Sequence, residues 1–145
     1  TGIGTTLCQL PSRSKDWVLL VFPDEDSVVQ RKTAWMYKMF DEIDVGKGPE
    51  FGHRSNVIAN RIADGLTLEE YLFNSFEYVL DGAYPGHRKF KEKIEFLTKE
   101  KFTVTGSGPS LFMLTSDLDY GQTMKEVLED QGISSVLCGF LPKWA

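Results

Sequence analysis

The sequence predicts an α+β domain, a ferredoxin-like split β-α-β sandwich with a four-stranded antiparallel sheet and extra helices on one face. Three observations carry this prediction. Hydrophobic periodicity gives the order strand, several helices, strand, strand, helix, strand. A Gly-Ser-Gly-Pro break separates the two middle strands and turns the chain straight back. The 145 residues, 41% hydrophobic and 26% charged, fit one domain spanning residues 1–145 that buries a core without disulfide staples. Right-handed crossovers then put the helices on one face of the sheet.

Each element has a local reason. Residues 1–16 read as an incoming loop, broken by Gly2, Gly4 and Pro11. Trp17-Val-Leu-Leu-Val-Phe22 is an unbroken apolar run stopped by Pro23, the pattern of a buried strand. From about Gln30 to Ile43 the apolar residues Met36, Met39, Phe40 and Ile43 recur at helical spacing, until Gly46, Gly48 and Pro49. A second helix is expected from about Arg54 to Asp64, closed by Gly65. Thr67-Leu-Glu-Glu70 has the form of a capping box opening a third helix striped by Leu68, Leu72, Phe76 and Val79. Pro85 suits the first turn of a fourth helix running to about Lys99, with Phe90, Ile94 and Leu97 inward. Phe102–Thr105 alternates as a strand, and Ser110–Thr115 is the return. Asp119 is expected to cap a helix carrying Met124, Val127 and Leu128, closed by Gly132. Ile133–Leu141 is the last strand.

Composition narrows the function classes. Net charge is −5 and the isoelectric point about 5.0, which argues against a nucleic-acid binder. Cys8 and Cys138 are too few and too far apart for a disulfide framework and read as reduced thiols of a cytoplasmic protein. No apolar run is long enough for a membrane span, and no secretory signal opens the chain. The start at Thr1, without Met, reads as mid-chain material.

Three groups could carry chemistry. In Thr105-Gly106-Ser107-Gly108-Pro109-Ser110, two glycines permit positive φ and close approach. Successive N–H groups of such a turn can form an anion nest, and Ser107 and Ser110 add hydroxyls. Composition alone favours a tight strand-to-strand turn, where Gly, Ser and Pro are expected anyway, and no Walker loop is present. Thr33 and Tyr37 lie one helical turn apart, where a hydroxyl and a ring could line a groove, although Tyr37 could also simply border the core. Asn74 and Glu77 read most simply as a solvated or helix–helix hydrogen-bonded face. His53 and His87 stand in loops without metal-spaced partners, so no metal ligands are assigned. Asp24, Glu25 and Asp26 read as a solvated turn.

Taken together, these residues resemble a known family. Phe102-Thr-Val-Thr-Gly-Ser-Gly-Pro-Ser-Leu-Phe-Met-Leu114 is similar to the third motif of the GHMP kinases. Phe73-Asn-Ser-Phe-Glu77 with Tyr84-Pro85, and Lys32-Thr-Ala-Trp-Met-Tyr37 after Leu20-Val-Phe-Pro23, resemble segments of the diphosphocytidyl-methylerythritol kinases within that superfamily. Gly2-Ile-Gly4 resembles the turn entering the C-terminal half of that family. The likeness is collinear over essentially the whole chain.

The resemblance implies a GHMP C-terminal-type domain whose whole enzyme phosphorylates the 2-hydroxyl of a cytidine-diphosphate-linked methylerythritol with ATP and Mg²⁺, in non-mevalonate isoprenoid precursor synthesis. It implies Ile3, Thr33 and Tyr37 around the cytidine, with Tyr37 stacked on the base. It implies Gly106, Ser107 and Gly108 near the transferring phosphate. The family's glycine-rich ATP loop and its catalytic Lys and Asp belong to an N-terminal half not found in this sequence. The expected partner is therefore that half, ATP and Mg²⁺ are expected to bind mainly there, and no catalytic residue is assigned here. Thr5 stands where the family usually has Glu, and Ala34 where some members have Pro. The other readings are the same half of another GHMP member, of homoserine or phosphomevalonate kinase type, a non-catalytic ferredoxin-like ligand-binding module, or a purely structural domain. If the glycine turn serves a ligand, Gly108→Val is expected to lower turnover more than melting temperature.

Overall fold

The structure, a computed structural model, describes residues 9–24, 26–43 and 51–140, with the backbone alone for 51–54. Expectations for Ile3, the Gly2–Gly4 turn, Cys8, Glu25, the Gly46–Pro49 breakers and Leu141 lie outside the described residues.

The strands are β1 (Trp17–Phe22), β2 (Thr103–Val104), β3 (Leu111–Thr115) and β4 (Ser134–Gly139). They form one sheet in the order β2-β3-β1-β4, with every neighbouring pair antiparallel. β3 lies between β1 and β2, and β1 lies between β3 and β4. That is the split β-α-β arrangement expected from the sequence. β1 is central, and its register places Leu19 opposite Met113 and Leu137, and Val21 opposite Leu111 and Ser135. Leu19 and Val21 are wholly buried, whereas Val18 and Leu20 are half-buried and Phe22 is exposed. The apolar run is thus a strand with one face in the core, not a strand buried on both faces.

The helices are α1 (Lys32–Glu42), α2 (Phe51–Ala63), α3 (Leu80–Ala83), α4 (His87–Thr98) and α5 (Leu118–Glu129). Ile94 of α4 and Leu128 of α5 join Leu19, Val21, Leu111 and Met113 in the core, and Met36, Leu80 and Ala83 extend it toward α1 and α3. α2 ends at Gly65 (φ 68) with Gly65 N–H donating to Ile62 and Leu66 N–H to Arg61, the paired bonds of a glycine-closed helix end. No helix among the described residues is long and apolar enough to cross a membrane.

The expected third helix does not form. Residues 67–79 instead make two single 3₁₀ turns, Glu69–Tyr71 and Ser75–Tyr78, joined through extended backbone at Leu72 and Asn74. Thr67 caps nothing: its carbonyl and hydroxyl accept from the Arg61 guanidinium at 2.6 and 3.2 Å. Asn74 breaks the helical pattern because its side chain caps the Phe76 N–H and also bonds elsewhere in the fold. Two further boundaries shift. Gly86 at φ 105 is the N-cap of α4, so Pro85 precedes the helix, and Asp81 accepts the Arg88 N–H. Asp117, not Asp119, caps α5 by accepting from the Tyr120 N–H at 3.0 Å. Tyr120 in turn donates its hydroxyl to Glu100, which, with some burial and the carboxylate's charge, pushes the phenol up to about 12.

Candidate functional site

β2 is an edge strand, so the N–H and C=O of Val104 point away from β3 and need partners. They find them in the segment that failed to become a helix. Asn74 Nδ2 donates to the Val104 carbonyl at 2.9 Å, and Glu77 Oε1 accepts the Val104 N–H at 3.2 Å. The other Glu77 oxygen pairs with Lys91 at 2.7 Å. The Asn74/Glu77 pair is therefore bonded to a sheet edge and, through Lys91, to α4, and is not merely a solvated face. Fixing that edge also fixes the start of the glycine turn that leaves β2.

Within the turn, Thr105 N–H donates to Ser110, and Gly108 N–H to Thr105 at 2.7 Å. Distant side chains hold the carbonyls. Asn74 Nδ2 also donates to Gly106 at 2.7 Å, Lys32 Nζ to Gly108 at 2.7 Å, and His87 Nε2 to Pro109 at 2.7 Å. Because a carbonyl only accepts, His87 carries its proton on Nε2. His87 is buried at the start of α4 and is not an isolated loop residue. His53 lies within α2.

The two sides of the turn differ. Gly108 has φ 69, and a Cβ there would lie 2.7 Å from Leu80 Cδ1 and 3.3 Å from Val104 Cγ1. It is packed against the core, so any side chain at 108 disturbs the fold. Gly108→Val is therefore expected to lower stability as well as any turnover. Gly106 has φ 48, and a Cβ there would meet nothing within 4 Å. Among the described residues, no acceptor takes the backbone N–H of Gly106 or Ser107. Three of the turn's carbonyls are held by side chains and two of its amides have no acceptor among the described residues, donors of the kind an anion nest uses.

α1 brings the second group of candidates to the same place. Thr33 Oγ1 lies 3.1 Å from Ser107 Oγ. Tyr37, 57% exposed, stands one helical turn further along and meets the Phe76 ring edge-on, with centroids 4.9 Å apart and planes at 88°. Phe40 also meets Phe76 edge-on at 6.1 Å. The structure thus joins Thr33, Ser107, Gly106 and Gly108 into one surface, with Tyr37 beside it on α1, while Ile3 lies outside the described residues. Sequence reasoning missed Lys32, set aside Asn74 and Glu77, and misplaced His87. Asn74, Glu77 and Lys32 stood out in the sequence only as members of the Phe73–Glu77 and Lys32–Tyr37 segments of the resemblance. Among the described residues, no group of three His, Cys, Asp or Glu side chains could hold a metal ion.

The fold, with its glycine turn between β2 and β3, is of the class found in one half of the GHMP kinases. Solved structures of a 4-(cytidine 5′-diphospho)-2C-methyl-D-erythritol kinase and of homoserine kinase from Cytophaga hutchinsonii share it. Each superposes with a TM-score of 0.60, at 20% and 16% identity, covering 93% and 90% of this chain and 46% and 43% of theirs. In sequence, the chain is similar to the 4-diphosphocytidyl-2-C-methyl-D-erythritol kinases. It is 29% identical to that of Symbiobacterium thermophilum over 126 residues, covering 86% of this chain and 43% of the relative. It is 27% identical to that of Nitratidesulfovibrio vulgaris over 135 residues, covering 92% and 45%. It is 25% identical to one from Dehalococcoides mccartyi over 140 residues, covering 97% and 48%. The chain therefore spans a little under half the length of the relatives it matches, and the likeness read from its motifs holds along most of it. No protein-family model matches the chain.

Proposed function

We propose that this chain is the substrate-side, C-terminal-type half of an ATP-dependent kinase that phosphorylates the 2-hydroxyl of 4-diphosphocytidyl-2-C-methyl-D-erythritol. The observation that carries the reading is the Thr33–Ser107 contact at 3.1 Å, which puts the predicted substrate-side helix and the predicted phosphate turn on one surface. The collinear likeness to kinases of that name supports the choice of substrate.

In this reading Thr33 and Tyr37 border the cytidine, with the exposed Tyr37 ring free on one face for the base. Gly106, Ser107 and Gly108 lie near the transferring phosphate, and the Gly106 and Ser107 amides of the turn steady its charge. Ile3 completes the cytidine side. ATP supplies the phosphoryl group and Mg²⁺ neutralises it, both held mainly by an N-terminal GHMP domain of the same polypeptide. The contribution of this half is positioning and charge stabilisation, which is most of what phosphoryl transfer asks of a protein. The enzyme works in the cytoplasm, on the non-mevalonate route, and the 145-residue chain alone is inactive.

The test is an ADP-release assay of the intact polypeptide with ATP, Mg²⁺ and the cytidine substrate. Turnover is expected. In the same protein, Tyr37→Ala should weaken cytidine-substrate binding by about 1–3 kcal/mol, the range for base–aromatic stacking. Unchanged affinity in calorimetry would remove Tyr37 from the site. The equal superposition on homoserine kinase favours a second reading, the same half of a kinase with another alcohol substrate. Turnover of homoserine and not of the cytidine substrate would select it. Activity with neither would leave a ligand-binding module.

A further inference from the structure

Lys32 opens α1 and, although it begins the Lys32–Tyr37 segment of the resemblance, no role was assigned to it from the sequence. Its ammonium donates to the Gly108 carbonyl at 2.7 Å and lies 5.4 Å from the centre of the Tyr84 ring. An ammonium has three N–H donors. The Gly108 carbonyl uses one, and the Tyr84 ring offers only a weak cation–π contact. Among the described residues, no carboxylate forms an ion pair with Lys32. The chain has 21 acidic residues against 16 Lys and Arg, so an unmatched, half-buried cation is not what composition alone would leave. It sits on a turn whose Gly106 and Ser107 amides also lack acceptors among the described residues. All these donors lack the same thing, an anion.

We propose that Lys32 is the charged element of an anion site on the 105–110 turn, holding a phosphate or diphosphate group together with the Ser107 hydroxyl and the Gly106 and Ser107 amides. This deepens the reading of the turn as phosphate-facing and rests on it. The bond to Gly108 fixes where the ammonium stands, and the two remaining N–H groups serve the ligand. Lys32 also acts through the turn, because its bond to the Gly108 carbonyl helps hold the shape of the turn that carries the two amides. A point charge on a flexible stem is a common phosphate partner and needs no bidentate geometry.

The experiment is an NMR titration of the 145-residue chain with inorganic diphosphate and with cytidine 5′-diphosphate, on wild type, Lys32→Met and Lys32→Arg. Melting temperatures are measured alongside. Diphosphate should produce saturable shifts of the Gly106 and Ser107 amides. Lys32→Met should weaken binding about tenfold, the loss of one charge-assisted hydrogen bond, and Lys32→Arg should restore most of it. Tighter binding of cytidine diphosphate, with shifts spreading to the Tyr37 ring, would identify a nucleotide as the source of the anion. Equal binding would identify the phosphate groups alone. If Lys32→Met lowers the melting temperature, the arginine variant decides, because it keeps the charge. No saturable shift in wild type, or equal affinity in wild type and Lys32→Met, overturns the proposal. Kinase activity of the intact polypeptide is measured separately, so an active kinase with an indifferent Lys32 would sink this inference and leave the functional reading standing.

Discussion

The turn at 105–110 and the helix end at 129–133 both place glycine at positive φ, yet they are held in different ways. At the helix end, Gly132 N–H donates to Glu129 and Ile133 N–H to Leu128, so the bonds are local and the backbone satisfies itself. At the turn, carbonyls are taken by Asn74, Lys32 and His87, which lie between 22 and 76 residues away in sequence. A turn that only reverses the chain needs no such help. Importing three side chains to pin the carbonyls fixes a turn whose Gly106 and Ser107 amides have no acceptor among the described residues. The difference separates a turn that ends an element from one that presents a surface.

The largest expected effect is at Gly108. An alanine there adds left-handed strain to a contact 2.7 Å from Leu80, and should cost about 2–4 kcal/mol in chemical denaturation. A loss under about 1 kcal/mol would mean the turn is not packed on the core. Next comes Asn74→Ala, which strips donors from the Val104 and Gly106 carbonyls and the cap from Phe76. About 2–3 kcal/mol is expected, with amide exchange quickening across 104–108 before the rest of the sheet. If exchange quickens uniformly, Asn74 is an ordinary structural residue and the contrast between the turns weakens. The smallest effect lies at the other end of β2, where no ligand role is assigned. Glu100→Gln should lower the Tyr120 phenol from about 12 toward its ordinary value, read from phenolate absorbance after rapid pH jumps. Because the folded value is raised, the Tyr120–Glu100 bond contributes below pH 10 and is lost as pH rises toward 12. An unmoved titration would mean the bond is absent in solution.

Much of the fold was legible because its signals are local. The Trp17–Phe22 run, the Phe90/Ile94/Leu97 stripe and the glycine turn between two strands each show in a window of a few residues. Residues 67–79 were not legible, for the opposite reason. Leu68, Leu72, Phe76 and Val79 have helical spacing and Thr67–Glu70 imitates a capping box, but the edge of β2, some 30 residues on, competes for Asn74 and Glu77. Satisfying a bare strand edge outweighs the weak local preference for a helix. The site divides along the same line. Thr33, Tyr37 and the glycines could be picked out by motif. Lys32 and His87 act through single bonds to backbone carbonyls, a role for which no local pattern exists.

Gly106 and Gly132 form a matched pair: each has positive φ, 48° and 70°, and at each an added Cβ meets nothing within 4 Å. Alanine at either should therefore cost about 1 kcal/mol of stability. The most direct test is to compare Gly106→Ala with Gly132→Ala in the intact polypeptide, measuring melting temperature and kcat/KM for the cytidine substrate. The account predicts similar melting temperatures, with kcat/KM falling several-fold for Gly106→Ala alone. Equal activity in the two variants would contradict it, and would reduce the 105–110 turn to a chain reversal like the other.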